Sequence, residues 1–190
     1  MKGPGGRTCG GSLQSRRAAQ SCLLRRAILV AVAGAVGALC ASSAGGEEVL
    51  TLDLGGGVSM ALVRVPAGTF LMGGSTAGKY RSQRNERPQH EVGITEDFLI
   101  GRCEVTRGQF AAFVRDADYK TEAETKGWTF AWDGRKWDKI KGASWRSVGF
   151  DQTDDHPVIC VSWTDAAEFC KWLGGKASRT VRLPTEAQWE

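Results

Sequence analysis

The stretch HPVICVSWTDAAEFCKWLGG, His156 to Gly175, decides the fold of this chain. Its first part, HPVICVSW, is mostly apolar and predicts a buried strand. Ser162 or Thr164 can cap the helix that follows. Apolar side chains then recur at helical spacing on one face: Ala166, Phe169, Cys170 and Leu173. Gly174 and Gly175 supply the predicted end of this helix. We therefore expect a buried strand followed by an amphipathic helix.

Short strands are predicted upstream of this stretch, because apolar and polar residues alternate there between glycine and proline breaks. Gly55 to Gly57 turns the chain between the first two. The predicted strands are VLTLDL from Val49, VSMALVRVP from Val58, GTFLMG from Gly68, HEVGI from His90 and DFLIGRCEV from Asp97.

Two more helices are predicted by capping boxes, Thr106 with Gln109 and Thr185 with Gln188. The first helix would place one apolar face inward: Phe110, Phe113, Val114 and Ala117. The connection from 119 to 155 is rich in Trp and Gly and is predicted to be irregular. The class is therefore α+β with short strands and many loops.

The first 44 residues form a separate region, because they hold six basic residues and no acid. An apolar run from Ala27 to Leu39 and small residues from Ser42 to Ala44 complete the pattern of a secretory signal peptide, residues 1–44, cleaved after Ala44. We expect an exported protein, periplasmic or extracellular. An uncleaved leader, which would anchor the chain to a membrane, is the alternative.

Nucleic acid and nucleotide are not expected as partners. Without the leader, 19 basic residues (25 minus 6) face 21 acids, and no basic stripe with interleaved aromatics remains. Gly73, Gly78 and Lys79 have the spacing of a phosphate-binding loop, but Tyr80 replaces the hydroxyl that would hold magnesium. No helical pattern follows that loop, so a flexible polar loop is the better interpretation.

Three cysteines lie beyond the leader: Cys103, Cys160 and Cys170. An odd number in an exported chain predicts a free thiol or a partner outside this sequence. A zinc site with His90 and His156 is the rival interpretation, although the cysteine spacing fits no common zinc motif. His156 precedes Pro157, which holds it extended, and is expected to be structural.

Several segments together resemble the formylglycine-generating enzyme family, also called the sulfatase-modifying factor domain. They are VRVPAGTFLMGG, ERPQHEV, FLIGRCEVTRGQFAAFV, DYKTEAE, KGASWR, DHPVICVSWTDAAEFCKWL and RLPTEAQWE. The resemblance runs from about Val63 to Glu190 and assigns residues 45–190 to the N-terminal portion of such a domain. It implies a C-type-lectin-like fold.

The resemblance also implies a reaction, the oxidation of a sulfatase cysteine to formylglycine with oxygen and copper(I), in a fold stabilised by calcium. A site of two thiolates suits a soft monovalent ion. In the family that cysteine pair and most calcium ligands lie beyond the segment RLPTEAQWE. No residue of this chain is therefore expected to be catalytic, and Cys170 is similar to a family cysteine that can pair with a downstream one.

Three residues are candidate site residues by the same resemblance. Trp145 and Arg146, in KGASWR, match positions beside the family's peptide groove, where Trp would stack and Arg would bind a backbone or carboxylate. Glu104 is similar to a position that reaches calcium in some members. Loop packing for Trp145 and a surface carboxylate for Glu104 are the competing interpretations.

We therefore expect a part of an exported oxidoreductase that acts on a sulfatase polypeptide. A non-catalytic, lectin-like binding module and an iron-dependent relative of the ergothioneine-synthesis type are the alternatives. The chain alone is expected to be inactive and to fold poorly, because the apolar faces around Phe110 and Phe169 would lack partners.

Overall fold

Strands and helices alternate along residues 31–33, 48–74 and 86–190, which are the residues that the computed structural model describes. The strands are β1 (Ala31–Ala33), β2 (Val49–Gly55), β3 (Val58–Val65), β4 (Gly68–Met72), β5 (His90–Ile94), β6 (Phe98–Gly101), β7 (Trp128–Trp132), β8 (Trp137–Lys141) and β9 (Thr180–Arg182). The helices are α1 (Arg107–Ala117), α2 (Glu122–Lys126), α3 (Trp163–Ala177) and α4 (Glu186–Trp189). This mixture confirms the predicted α+β class.

Five antiparallel strands form the largest sheet, in the order β2-β3-β6-β1-β9. The β2–β3 hairpin is closed by three glycines with positive φ, Gly55 to Gly57, as predicted. β6 pairs with β3 on one side and with β1 on the other. β1 comes from the apolar run of the predicted leader, and the remaining leader residues lie outside the described part of the chain.

Two further hairpins, β4–β5 and β7–β8, stand apart from this sheet. The predicted strands from Val49, Val58, Gly68 and His90 are confirmed within a residue or two at each end. The strand predicted from Asp97 to Val105 is shorter, because β6 ends at Gly101. The phosphate-loop segment Gly78–Tyr80 lies outside the described residues.

Each of the four described helices begins with a capping box, at Thr106, Thr121, Ser162 and Thr185. At Thr106, the hydroxyl accepts from the Gln109 amide at 3.2 Å and the Gln109 side chain accepts from the Thr106 amide at 3.0 Å. This reciprocal pair satisfies two amides that have no partner inside the helix. The predicted starts at Thr106 and Thr185 are confirmed, and Ser162 rather than Thr164 caps α3.

Aromatic rings from α1 and α3 form the centre of the core. Phe110 and Phe113 are 5.4 Å apart between ring centroids, and Phe169 lies 6.0 Å from Phe110 and 5.7 Å from Phe113. All three are essentially unexposed. The expectation that Phe110 and Phe169 lack partners is therefore wrong, because each helix covers the other. Ala117, predicted on this inner face, is exposed.

The segment from 119 to 155 is more regular than predicted, since it contains α2, β7 and β8. Thr121 and Glu124 form a capping box of the type that identified the other helices. The strands WTFAW and WDKIK pair across a turn in which Asp133 accepts from the amides of Arg135 and Lys136, both at 2.7 Å. The high Trp and Gly content hid this hairpin.

The predicted strand HPVICVSW is absent from the described structure. Pro157 has no N–H to donate, and Cys160 has a φ of 61°, in the left-handed region that ends a strand. One isolated bridge remains, in which the Val158 amide donates to the Val105 carbonyl at 2.9 Å and the Arg107 amide donates to the His156 carbonyl at 2.8 Å. The apolar run is therefore a buried connection rather than a strand.

Helix α3 continues past its predicted end at Gly174 and Gly175 and stops at Ala177, where Ser178 takes a left-handed φ of 49°. Gly174 instead allows close packing between α3 and the chain that follows it. A Cβ at this position would lie 2.9 Å from the carbonyl oxygen of Arg179. The glycine therefore lets the chain entering β9 lie directly on the helix. Among the described residues, no helix is long and apolar enough to cross a membrane.

Candidate functional site

A tight turn carries the two residues predicted to bind substrate. The backbones of Ser144 and Ser147 exchange hydrogen bonds of 3.2 and 3.0 Å, which places Trp145 and Arg146 at the turn. Trp145 is 2% exposed and points into the core, whereas the Arg146 side chain is 55% exposed. The turn thus presents the guanidinium and buries the indole.

Arg146 is held by two neighbours. Its Nε donates to Glu124 Oε1 at 3.0 Å, and its guanidinium carbon lies 4.3 Å from the centroid of the Trp145 ring. A half-exposed ion pair contributes little to stability. Its effect is to fix the direction of the guanidinium, which keeps further N–H groups free to bind a carbonyl or carboxylate.

Glu124 joins this pair to helix α2. Its Oε2 accepts from the Thr121 amide at 3.0 Å and from the Thr121 hydroxyl at 2.8 Å. Desolvation raises the pKa of Glu124, but the hydrogen bonds from Thr121 and Arg146 outweigh it and hold the pKa below its ordinary value. The carboxylate that positions Arg146 therefore stays ionised at neutral pH.

A cleft of about 390 Å³ opens beside Arg146 and is lined also by Arg107 and by the segment 147–152. Arg107 Nη1 donates to the carbonyl of Gln152 at 2.9 Å and lies 3.8 Å from Asp154 Oδ1. Two guanidinium groups at one cleft favour a ligand that offers carbonyl or carboxylate oxygens, such as an extended peptide.

Gly149 fixes one wall of this cleft against β7. It has a φ of 91°, and a Cβ there would lie 1.9 Å from the carbonyl oxygen of Trp132. The Trp132 amide also donates to the carbonyl of Val148 at 3.3 Å. The segment beside Arg146 is therefore docked on the β7–β8 hairpin, and its shape depends on a residue without a side chain.

The stacking role predicted for Trp145 does not fit its position, because a ring that is 2% exposed has no face for a ligand. Its ring lies 5.2 Å from that of Phe110 in an edge-on arrangement. The indole N–H is buried and has no hydrogen-bond partner among the described residues. In this structure the Trp145 ring packs in the core and supports the guanidinium of Arg146 through a cation–π contact.

Glu104, the predicted calcium ligand, is exposed on the stretch between β6 and α1. Within the described residues, no three His, Cys, Asp or Glu side chains come together in a way that would hold a metal ion. The donor set of the described residues therefore fits neither calcium at Glu104 nor the zinc alternative. The predicted calcium role of Glu104 stays a prediction.

The described cysteines do not offer a copper(I) site either. Cys103 is disulfide-bonded, whereas Cys160 and Cys170 are free. Burial raises the pKa of Cys160 to about 11 and that of Cys170 to about 12. Both are protonated at neutral pH, and a protonated thiol is a poor metal ligand. The described cysteines therefore do not fit the paired thiolate site that the resemblance implies.

His156 closes a local loop. Its Nδ1 accepts from the Thr153 amide at 3.0 Å and lies 2.8 Å from the Thr153 hydroxyl. A ring nitrogen that accepts an amide proton carries none itself, so Nε2 holds the proton. This arrangement matches the structural role expected from the sequence.

Arg107 and Glu124 were missed as site residues by the sequence analysis. Glu124 was visible as the third residue of a helix beginning after Thr121, a spacing that also signals the cap. Arg107 reaches the cleft only because residues 147–152 fold back toward the start of α1. No local pattern could indicate that contact.

This geometry defines a class: an α+β scaffold with much irregular chain and an open polar cleft at the start of its helices. A family profile described as "Sulfatase-modifying factor enzyme 1-like domain" matches residues 58–190. The chain belongs to this family of sulfatase-modifying-factor, or formylglycine-generating-enzyme-like, proteins.

Individual relatives agree with this assignment. A formylglycine-generating enzyme of Thermomonospora curvata is 35% identical over 70% of this chain and 48% of its own length. A protein of Bos taurus named "Inactive C-alpha-formylglycine-generating enzyme 2" is 32% identical over 73% of this chain and 50% of its own. A hercynine oxygenase of Mycobacterium tuberculosis is 34% identical over 64% of this chain and 29% of its own.

Among solved structures, PvdO from Pseudomonas aeruginosa superposes with a TM-score of 0.55. It is 24% identical and is matched over 69% of this chain and 45% of that one. The fold is therefore of the formylglycine-generating-enzyme kind, as predicted. The chain spans about half the length of two of these curated relatives, 48% of one and 50% of the other.

Proposed function

We propose that this chain is part of an exported protein that oxidises a cysteine of a sulfatase polypeptide to formylglycine. The family match over residues 58–190 carries the proposal. Relatives that bear the name of this enzyme support it. The leader pattern of residues 1–44 supports export to the periplasm or the extracellular space.

In that function, the role of this chain would be to bind the sulfatase polypeptide. Arg146, oriented by Glu124 and Trp145, would donate to a backbone carbonyl or a carboxylate of a peptide lying in the cleft, and Arg107 would contact the same peptide. Copper(I), which supplies the oxidation chemistry in this family by resemblance, would be held by residues other than those described here, and calcium would need ligands in addition to Glu104. No chemical step is assigned to a residue of this chain.

The test uses the complete natural protein and a cysteine-containing sulfatase peptide, with conversion of cysteine to aldehyde followed by mass spectrometry. Arg146→Ala should raise KM about tenfold while leaving kcat within about twofold, because a contact made equally in the ground and transition states affects binding alone. Arg115→Ala, an exposed arginine on α1, is the matched control. Unchanged KM in Arg146→Ala would exclude the cleft, and no conversion by the unmodified protein would overturn the oxidase function.

A non-catalytic peptide-binding module is the second candidate. It is favoured by a relative whose name calls it inactive. The same assay separates the two, because a module would bind the peptide through Arg146 without converting it.

A further inference from the structure

In the main sheet, β1 is inserted between β6 and β9. β6 and β9 both belong to the sheet, but they do not pair with each other, because β1 lies between them. Ala31 pairs with Ile100 on one side and with Arg182 on the other, and Val32 pairs with Leu99 and Val181. Neighbouring strands are about 4.8 Å apart, so β6 and β9 are separated by about two such spacings.

Backbone N–H and C=O groups border the space between the two strands, and the residues that pair across it are buried. Leu99 is 3% exposed, Val181 is 9% exposed, and Ala31 itself is 1% exposed. Within the described residues, β9 has no strand neighbour other than β1. Without an extended segment in this space, the backbone groups of β9 that face it would lose their partners on β1, and Val181 at its centre is buried.

The far wall of the space is held by helix α3. The contact at Gly174, where a Cβ would lie 2.9 Å from the carbonyl oxygen of Arg179, keeps the start of β9 on the helix. β6 is fixed from the other side by its pairing with β3. These contacts hold the two strands in place on either side of β1.

We propose that the space between β6 and β9 is a binding site for one extended apolar strand, and that its ligand is the chain's own N-terminal segment at Ala31–Ala33. Addition of a strand to unpaired backbone groups is a general mode of peptide recognition. Processing after Ala44, as the sequence predicts, would separate this strand from the rest of the chain and leave the site to be held non-covalently or opened.

The proposal rests on strand pairing and not on the proposed enzymatic function, and its test reads no activity. The full 190-residue chain is prepared with Val32→Pro, which removes a backbone donor at the centre of β1. Ala41→Pro, the same kind of change within the predicted leader but outside β1, is the matched control. Amide hydrogen exchange is measured for β9, with α3 as the internal reference.

In Val32→Pro, exchange at β9 should become at least about tenfold faster while α3 and the control keep their protection. Loss of protection throughout Val32→Pro, with Ala41→Pro unaffected, would also support the proposal, since the strand then stabilises the whole domain. A synthetic peptide of residues 27–36, flanked by lysines for solubility, should restore protection of β9. Unchanged β9 exchange in Val32→Pro, or no restoration by the peptide, would overturn the proposal.

Discussion

Asp165 is the clearest case of a single residue that organises its surroundings. It is fully buried, and its carboxylate accepts from the Tyr119 hydroxyl at 3.0 Å, the Glu122 amide at 3.0 Å and the Ser162 amide at 2.7 Å. Burial and the bond to Asp165 both raise the pKa of Tyr119. One carboxylate therefore joins the starts of α2 and α3.

Replacing Asp165 by Ala should lower the free energy of unfolding by about 3 kcal/mol, because three donors are left without an acceptor. Urea unfolding followed by circular dichroism measures the loss. Asp155→Ala, which removes an exposed carboxylate, should cost no more than about 0.5 kcal/mol. Equal losses in the two variants would show that the buried bonds are not needed.

The two free thiols predict a loss of stability in alkali. Both have an ordinary pKa of 9.0, which burial raises to about 11 for Cys160 and about 12 for Cys170. The unfolded chain therefore loses these protons first, so the contribution of the two thiols to the free energy of unfolding is full below pH 9.0 and is lost as the pH rises through about 11 and about 12. The raised pKa of Tyr119 acts in the same direction. Urea titrations across this range should show a shallower fall in a variant with both cysteines changed to Ala, and an identical slope would contradict the assignment.

At the scale of elements, local patterns were the reliable guide. The capping boxes at Thr106 and Thr185 depend on residues three apart, so the sequence alone locates them. Gly174 was misjudged because its purpose, close contact with the chain at Arg179, is set by an element that follows later. The apolar run from Pro157 to Val161 had the composition of a strand, but among the described residues its pairing is limited to a single bridge with Thr106.

The cap of α2 should matter for both the helix and the cleft. Thr121→Ala removes the hydroxyl that caps the helix and donates to Glu124, and it should cost about 1 to 2 kcal/mol. It should also loosen Arg146, which Glu124 positions. Thermal unfolding and nuclear magnetic resonance of the Arg146 Nε–H signal measure the two effects. Thr125→Ser, which keeps the hydroxyl that donates to the Thr121 carbonyl at 3.0 Å, should change neither, and an unshifted Nε–H signal in Thr121→Ala would break the link to the cleft.

Substitutions at two glycines of the β7–β8 region can distinguish the cost of backbone strain from the cost of a steric clash. Gly134 and Gly149 both have positive φ, but only at Gly149 would a Cβ meet another group, the Trp132 carbonyl at 1.9 Å. Gly134→Ala should cost about 1 kcal/mol from φ alone, and Gly149→Ala at least about 3 kcal/mol. Chemical unfolding of both variants decides the matter, and similar costs would mean that the segment 147–152 is not docked on β7.

Across the whole molecule, contacts between residues that are distant in sequence hold the helices and the main sheet together. Phe110 and Phe169 belong to different helices, and both lie on the sheet that β2, β3 and β6 form. The apolar faces of α1 and α3 were predictable, but their mutual packing was not, since periodicity shows a face and not its partner. The position of β1 in the sheet is likewise a product of topology.

Phe169→Ala should destabilise the whole domain by about 3 to 5 kcal/mol, because it opens a cavity between both helices. Circular dichroism and tryptophan fluorescence should report the same single transition, shifted to lower denaturant concentration. Phe130→Ala, at a ring that is 48% exposed, is the control and should shift it little. Two separate transitions in Phe169→Ala would mean that the sheet and the helices unfold independently.

The contact between Arg146 and Trp145 also gives the molecule an optical property. A positive charge 4.3 Å from an indole ring acts on the energy of its excited state, and this ring is shielded from water. A ligand that draws the guanidinium away would change the colour and intensity of the emitted light. Because six other tryptophans also emit, the part of the signal that is lost in Arg146→Ala would identify the emission that reports occupancy of the cleft without an attached dye.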